Sequence, residues 1–292
     1  MKIRLFGSFL FVLYIAGLAV LAYGAWQGWE YYRMPPIERP HAVLHESLKP
    51  GGFVGHGYGI IGSSMILLLF LYSARKRGAF GLRFGRMNRW LDIHIWFGIM
   101  GPLFITLHTA GKFNGIVSIS YWSMIAVMVS GFVGRYIYMQ IPRDDRGHAL
   151  SVAEIDNTID GLATLLEHDY EVTPEVVQSL SRRALGSGFE KSGSVGVLLA
   201  LVLFDLTRPF RNWRLKRYIR KLYPTIPSRA TAEILRMAKQ RAALTRRRAV
   251  LKVINSIFHY WHVIHKPFAI VMIVIMFVHI AVVTLMGYKW IF

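Results

Sequence analysis

His265-Lys-Pro-Phe-Ala-Ile-Val-Met-Ile-Val-Ile-Met-Phe-Val-His279 and, earlier in the chain, His94-Ile-Trp-Phe-Gly-Ile-Met-Gly-Pro-Leu-Phe-Ile-Thr-Leu-His108 are apolar stretches that begin and end on histidine. Each sits within a longer apolar run. In a lipid core no water satisfies backbone N–H and C=O groups, so such a run must close its own hydrogen bonds as a helix. About 20 apolar residues are needed to cross. Working outward from these two stretches, five segments meet that requirement: 6–26, 54–73, 92–110, 120–140 and 264–288. The run from Val195 to Leu206 is too short and ends on Asp205, Arg208 and Pro209, which suits an interfacial or re-entrant helix. The fold expected is all-α and integral to a membrane, with about five transmembrane helices and a helical cytoplasmic insertion between the fourth and fifth.

The 292 residues carry a formal charge of +19 and a mean hydropathy of +0.37, so charge and apolarity are segregated along the chain. Lys2 and Arg4 precede the first span; Arg75, Lys76, Arg77, Arg83, Arg86 and Arg89 follow the second; Arg135 and Arg143 follow the fourth. Basic residues stay on the cytoplasmic side, which sets the N-terminus inside and the Tyr288-Lys-Trp-Ile-Phe tail outside. The expected location is a bacterial inner membrane, with a periplasmic C-terminus. The first span is too long for a signal peptide and reads as an anchor. The expected organisation is residues 1–30 as anchor, 31–53 as an outer loop, 54–141 as spans two to four, 142–257 as the insertion, and 258–292 as span five with its tail.

One span separates the third from the fifth, so these two run in the same direction. Fourteen residues make four helical turns less about 40° and rise about 21 Å. Each pair therefore occupies nearly one face, with one histidine toward each membrane surface. At equal depths His94 then meets His265, and His108 meets His279. A low-spin haem iron takes two axial ligands from opposite sides of its ring, and neutral imidazole is a common one. The spacing supplies that arrangement twice. Gly98 and Gly101 lie on the same stripe, where a side chain would collide with a porphyrin edge.

Other residues near this constellation carry weaker signals. His262 falls about 100° off the His279 face and suits an interfacial, propionate-binding or supporting role; His259 lies further out. Arg135 is a candidate propionate partner and equally a positive-inside anchor. His56 opens the second span among Gly52, Gly55, Gly59 and Gly62, and stays open between a quinone ligand, a third haem ligand and an interfacial residue. His41 and His45 are weaker candidates. With no cysteine, the chain holds neither disulfides nor covalent c-type haem nor cysteine-ligated iron–sulfur clusters.

The paired His-x13-His helices resemble the di-haem four-helix core of quinol-oxidising cytochrome b subunits and of ferric reductase-like transmembrane domains. The resemblance covers spans two to five and rests on spacing. It implies two haem b, an electron route across the membrane and a membrane partner complex, and it assigns the axial positions to His94, His108, His265 and His279. The chain departs from that pattern in lacking a dinucleotide-binding G-x-G-x-x-G and in its long insertion, so electrons are expected from another redox subunit or from quinol at a quinone site.

Within the insertion, Ser151-Val-Ala-Glu154 is a capping box and Thr173-Pro174-Glu175 a second helix start. Between Arg208 and Lys252, fifteen Lys or Arg residues face one acid, Glu233. Beside membrane spans such helices suit anionic lipid headgroups or an acidic redox partner better than nucleic acid, and no nucleic acid is expected. The last helix is expected to run unbroken from about Ser228 into span five. Two further readings stand beside electron transfer through haem: a haem-free scaffold or transporter subunit whose histidines bind metal or move protons, and a chain that itself oxidises quinol or reduces an outer acceptor.

Overall fold

The computed structural model describes residues 2–81, 84–144, 148–170, 172–185, 193–222 and 228–287. The described residues form helices α1 (Lys2–Gln27), α2 (Trp29–Arg33), α3 (His45–Leu48), α4 (Phe53–Arg77), α5 (Met87–Thr109), α6 (Ile116–Gln140), α7 (Val152–His168), α8 (Pro174–Leu185), α9 (Ser194–Leu206), α10 (Arg208–Leu222) and α11 (Ser228–Leu285). No strand occurs among them beyond a single bridge between Arg143 and Ala149. Arg83 and the tail from Tyr288 lie outside the described residues, so the expectations for them stand as they were.

Five helices are long and apolar enough to cross a membrane: α1, α4, α5, α6 and α11. Their outward faces keep large apolar side chains uncovered, among them Phe9, Val12 and Ile15 on α1 and Val274, Phe277 and Val278 on α11. Water would penalise such a surface, whereas lipid tails solvate it at no cost. These features mark a multi-pass membrane protein. The helix ends agree with the local sequence. Gly78, in the left-handed region at φ 68°, closes α4 just after Arg75, Lys76 and Arg77, whose charges complement the exposed carbonyls of a C-terminus. α11 continues through Pro267 as one 58-residue helix, as its sequence led us to expect.

The chain divides into two compact units. The first comprises residues 1–133 and 262–292, the second residues 134–261. The division falls inside α6 and α11, so the second unit takes in more of both helices than the expected insertion, 142–257.

In the first unit α4 and α5 form the tightest pair. Gly62 and Gly101 make this possible: a Cβ on Gly62 would stand 2.9 Å from the Gly101 carbonyl oxygen, and one on Gly101 would stand 3.2 Å from Ile66. α1 covers the other side of α5 through Leu21, Met100 and Phe104. Ile66, Met124, Met272 and Met276 form a buried cluster shared by α4, α6 and α11. The Ser120 hydroxyl donates to the Met272 carbonyl at 2.8 Å and ties α6 to α11.

In the second unit, buried Leu166, Val172, Leu180, Leu215, Ile219 and Ile234 form a core among α7, α8, α10 and α11. The Ser151 hydroxyl accepts from the Glu154 N–H while Glu154 accepts from the Ser151 N–H, completing the capping box at the start of α7. That contact and the Ser151 hydroxyl hold the Glu154 carboxyl below its ordinary pKa. α9 buries Val197 and Leu201 against Ile137, Ile141, Val250 and Ile254 and leaves Leu199, Leu203 and Leu206 exposed. At 13 residues it is too short to span, in keeping with an interfacial helix.

Candidate functional site: a histidine ladder on α5 and α11

All four predicted ligand histidines fall in the first unit and each is half-buried. His94 and His108 rise from α5, His265 and His279 from α11. His265 is within electrostatic reach of His94. His108 is within reach of both His279 and His56, and His279 is within reach of His56. These couplings link His94 with His265, and His108 with His279 and His56.

The ring nitrogens are held in a consistent way. His94 Nδ1 lies 3.3 Å from the Leu69 carbonyl oxygen and His108 Nδ1 lies 2.8 Å from the Gly55 carbonyl oxygen, both on α4. A carbonyl only accepts, so each Nδ1 carries the proton and each Nε2 keeps its lone pair. His265 Nδ1 lies 2.7 Å from the Ser130 hydroxyl, which itself donates to the Val127 carbonyl at 2.9 Å. The same ring nitrogen of His265 thus meets a hydroxyl of α6 rather than a carbonyl. His94 and His108 therefore present an unprotonated Nε2, the form that binds a metal, with the far nitrogen anchored. The ring of His279 has no hydrogen bond among the described residues.

The surroundings position these rings further. The Tyr72 ring lies 5.0 Å from that of His94. The His56 ring stands 6.5 Å from His108 at an interplanar angle of 87°. Gly59 on α4 lies directly against the His108 imidazole, where a Cβ would come within 2.7 Å of Nδ1. The α4 glycines singled out around His56 thus include one that makes room for the His108 ring.

Two expectations need correcting or narrowing. Gly101 was expected to clear space for a porphyrin edge, but its bare face meets Ile66, Met65 and the Gly62 backbone of α4. Its small size serves helix packing. Gly98 has only Leu69 nearby, at ordinary contact distance. Arg135 belongs to the second unit, where its guanidinium lies 6.0 Å from the Tyr138 ring centroid. His262 lies within electrostatic reach of His265, and His259 is exposed.

Ser130 and Arg39 are the residues that sequence reasoning passed over. Arg39, buried in the segment before α4, donates to the carbonyl oxygens of Met34 at 2.9 Å, Tyr32 at 3.0 Å and Ala110. Ala110 is a non-glycine residue at φ 48° that closes α5 two positions after His108. Arg39 thereby pins the end of the helix that carries His108. Burial, with Tyr58 and Tyr31 alongside, pushes the neighbouring Tyr32 phenol up to about 12, so it remains neutral here.

Among the described residues no group of three or more His, Asp or Glu could hold a bare metal ion. No family model, curated protein or solved structure matches this chain.

Proposed function

We propose that this chain carries electrons across a membrane through two b-type haems, one held by His94 and His265 and the other by His108 and His279, as a subunit of a bacterial membrane redox complex. The observation that carries the reading is the shared tautomer. His94 and His108, fourteen residues apart on α5, both turn Nδ1 to an α4 carbonyl and leave Nε2 unprotonated as the coordinating nitrogen, and His265 turns Nδ1 to the Ser130 hydroxyl. That is the arrangement an axial ligand requires, because the hydrogen bond behind the ring both orients it and raises its basicity. A bare transition metal normally asks for three or four protein ligands, whereas a porphyrin iron asks for two. Imidazole pairs therefore suit haem better than the haem-free metal-binding reading. When bound, haem b supplies a one-electron couple at each level.

The chain's own residues define what surrounds that chemistry. The α4 carbonyls of Leu69 and Gly55 orient the α5 imidazoles, and Ser130 orients His265. Gly59 leaves His108 its place. The uncovered apolar helix faces support donors lying within the thickness of a bilayer, where a charged imidazolium would be costly and a neutral ligand is favoured. The run of basic residues in 208–252 supports a cytoplasmic second unit facing other redox subunits and anionic headgroups, with the N-terminus inside and the C-terminus periplasmic.

The functional test is transmembrane. Proteoliposomes that hold ferricyanide inside are treated with dithionite outside; the interior oxidant is expected to be consumed only when the haem-loaded protein is present. Equal consumption in protein-free vesicles would reject the reading. Substituting Ser130→Ala removes the hydroxyl behind His265 and is expected to weaken haem retention at the His94/His265 level by about tenfold. Transfer to apomyoglobin measures this, and Ser130→Thr is expected to restore retention.

A further inference from the structure

In the second unit a cavity of about 450 Å³ opens between α10 and α11. Its walls carry Arg208, Lys216 and Arg220 from α10 and Arg236 and Lys239 from α11, together with Thr231, which is buried. No carboxylate lines it. Lys216 and Arg220, four residues apart, are neighbours on one helical face, and Arg208 lines the same cavity two turns earlier. The opposite apolar faces, Leu215 and Ile219 on α10 and Ile234 and Ala238 on α11, are buried in the core with α7 and α8.

That core packing forces two cationic faces to stand across one cleft. Lys239 is close enough to Arg208 and Lys216 for their like charges to repel. Of the neighbouring acids, Glu233 pairs with the cleft's own Arg236 at 2.7 Å, whereas Asp205 pairs with Arg246 at 3.7 Å and Asp156 with Arg248 at 2.9 Å, both outside the cleft. Arg208, Lys216, Arg220 and Lys239 have no carboxylate partner among the described residues. Like charges set face to face in a concave site lower the free energy of any anion that enters. The volume lies in the range of a small-ligand site, larger than one inorganic phosphate needs.

We propose that this cleft is a specific binding site for an anion carrying two neighbouring phosphates. Such a group is available from a diphosphate-type lipid headgroup or from a soluble diphosphate. The site is a defined cavity, in contrast to diffuse attraction between a basic surface and a membrane, and it stands independently of the haem reading.

The test uses the full chain in detergent or in nanodiscs. Calorimetry with inorganic pyrophosphate is compared with native mass spectrometry after exchange into nanodiscs of phosphatidylcholine with or without cardiolipin. Saturable one-to-one binding of pyrophosphate, or retention of one cardiolipin per chain, supports the site; which probe binds identifies the source. Lys216→Gln and Arg220→Gln are each expected to weaken that binding about tenfold, the loss of one charge-assisted contact. Arg217→Gln, on α10 but outside the cleft, with its guanidinium 5.6 Å from the Trp213 ring, is expected to bind as the parent does. Circular dichroism establishes that each variant is folded. The proposal is overturned if neither probe binds saturably, if Arg217→Gln loses as much as the cleft variants, or if a phosphate-free polyglutamate peptide or an oligonucleotide binds more tightly than both phosphate probes.

Discussion

His279→Ala is expected to yield a protein that retains one haem per chain in place of two and no longer passes electrons across a membrane. His108→Ala is expected to do the same, because both residues would serve one iron. The double variant should lose no more than either single one, since residues acting on one cofactor are strongly non-additive. His94→Ala with His279→Ala, which damages both levels, should leave none. The grouping behind these expectations is electrostatic reach along α5 and α11: His265 is within reach of His94, and His108 within reach of His279 and His56. The levels are separated by about 21 Å of helix rise, so loss at one need not unfold the other. His56→Ala serves as the internal comparison. If His56 supports His108 from the side, that variant keeps both haems and shifts only the spectrum of one. Haem content per chain measures each case, and two haems in both His108→Ala and His279→Ala would reject the assignment.

The second large effect is on stability. Arg39→Ala is expected to destabilise the folded protein by about 3 kcal/mol, comparable with breaking a buried charge contact. Three carbonyl oxygens, of Met34, Tyr32 and Ala110, lose their shared donor at once. Ala110 has further reason to move, because a non-glycine residue at positive φ relaxes when its restraint is removed. Since Ala110 ends the helix bearing His108, haem should be lost from the His108/His279 level first. Thermal unfolding in detergent, followed by Soret absorbance and by circular dichroism, separates the two events. A melting temperature within a degree of the parent's would show that Arg39 bears no such load.

Hydropathy and local spacing made the five long apolar helices, the unbroken α11 and the α7 capping box legible in the sequence, because each depends on residues within a turn or two of one another. The expected two-level grouping of histidines has a related basis. Helical geometry fixes relative depth once two spans are known to be parallel. The anchors behind the rings were not legible. Ser130 is 135 residues from His265, and Arg39 is 71 residues from Ala110. No local pattern encodes either pairing, which arises only when α6 meets α11 and the outer segment folds back on α5. Gly101 shows the converse difficulty. Its position on the histidine stripe was read correctly, but a small residue on a helix suits a neighbouring helix as well as a cofactor, and α4 is the neighbour it has. The cationic cleft was visible as a basic run, whereas the cavity required knowing which faces of α10 and α11 the core consumes.

The central claim, that anchored imidazole pairs hold two b-type haems, is tested most directly by a pyridine haemochrome measurement on the purified chain produced with ample haem supply. The account predicts the b-type spectrum at about two haems per chain. A folded, colourless protein, or one whose haem content is unchanged when His94, His108, His265 and His279 are all alanine, would contradict it.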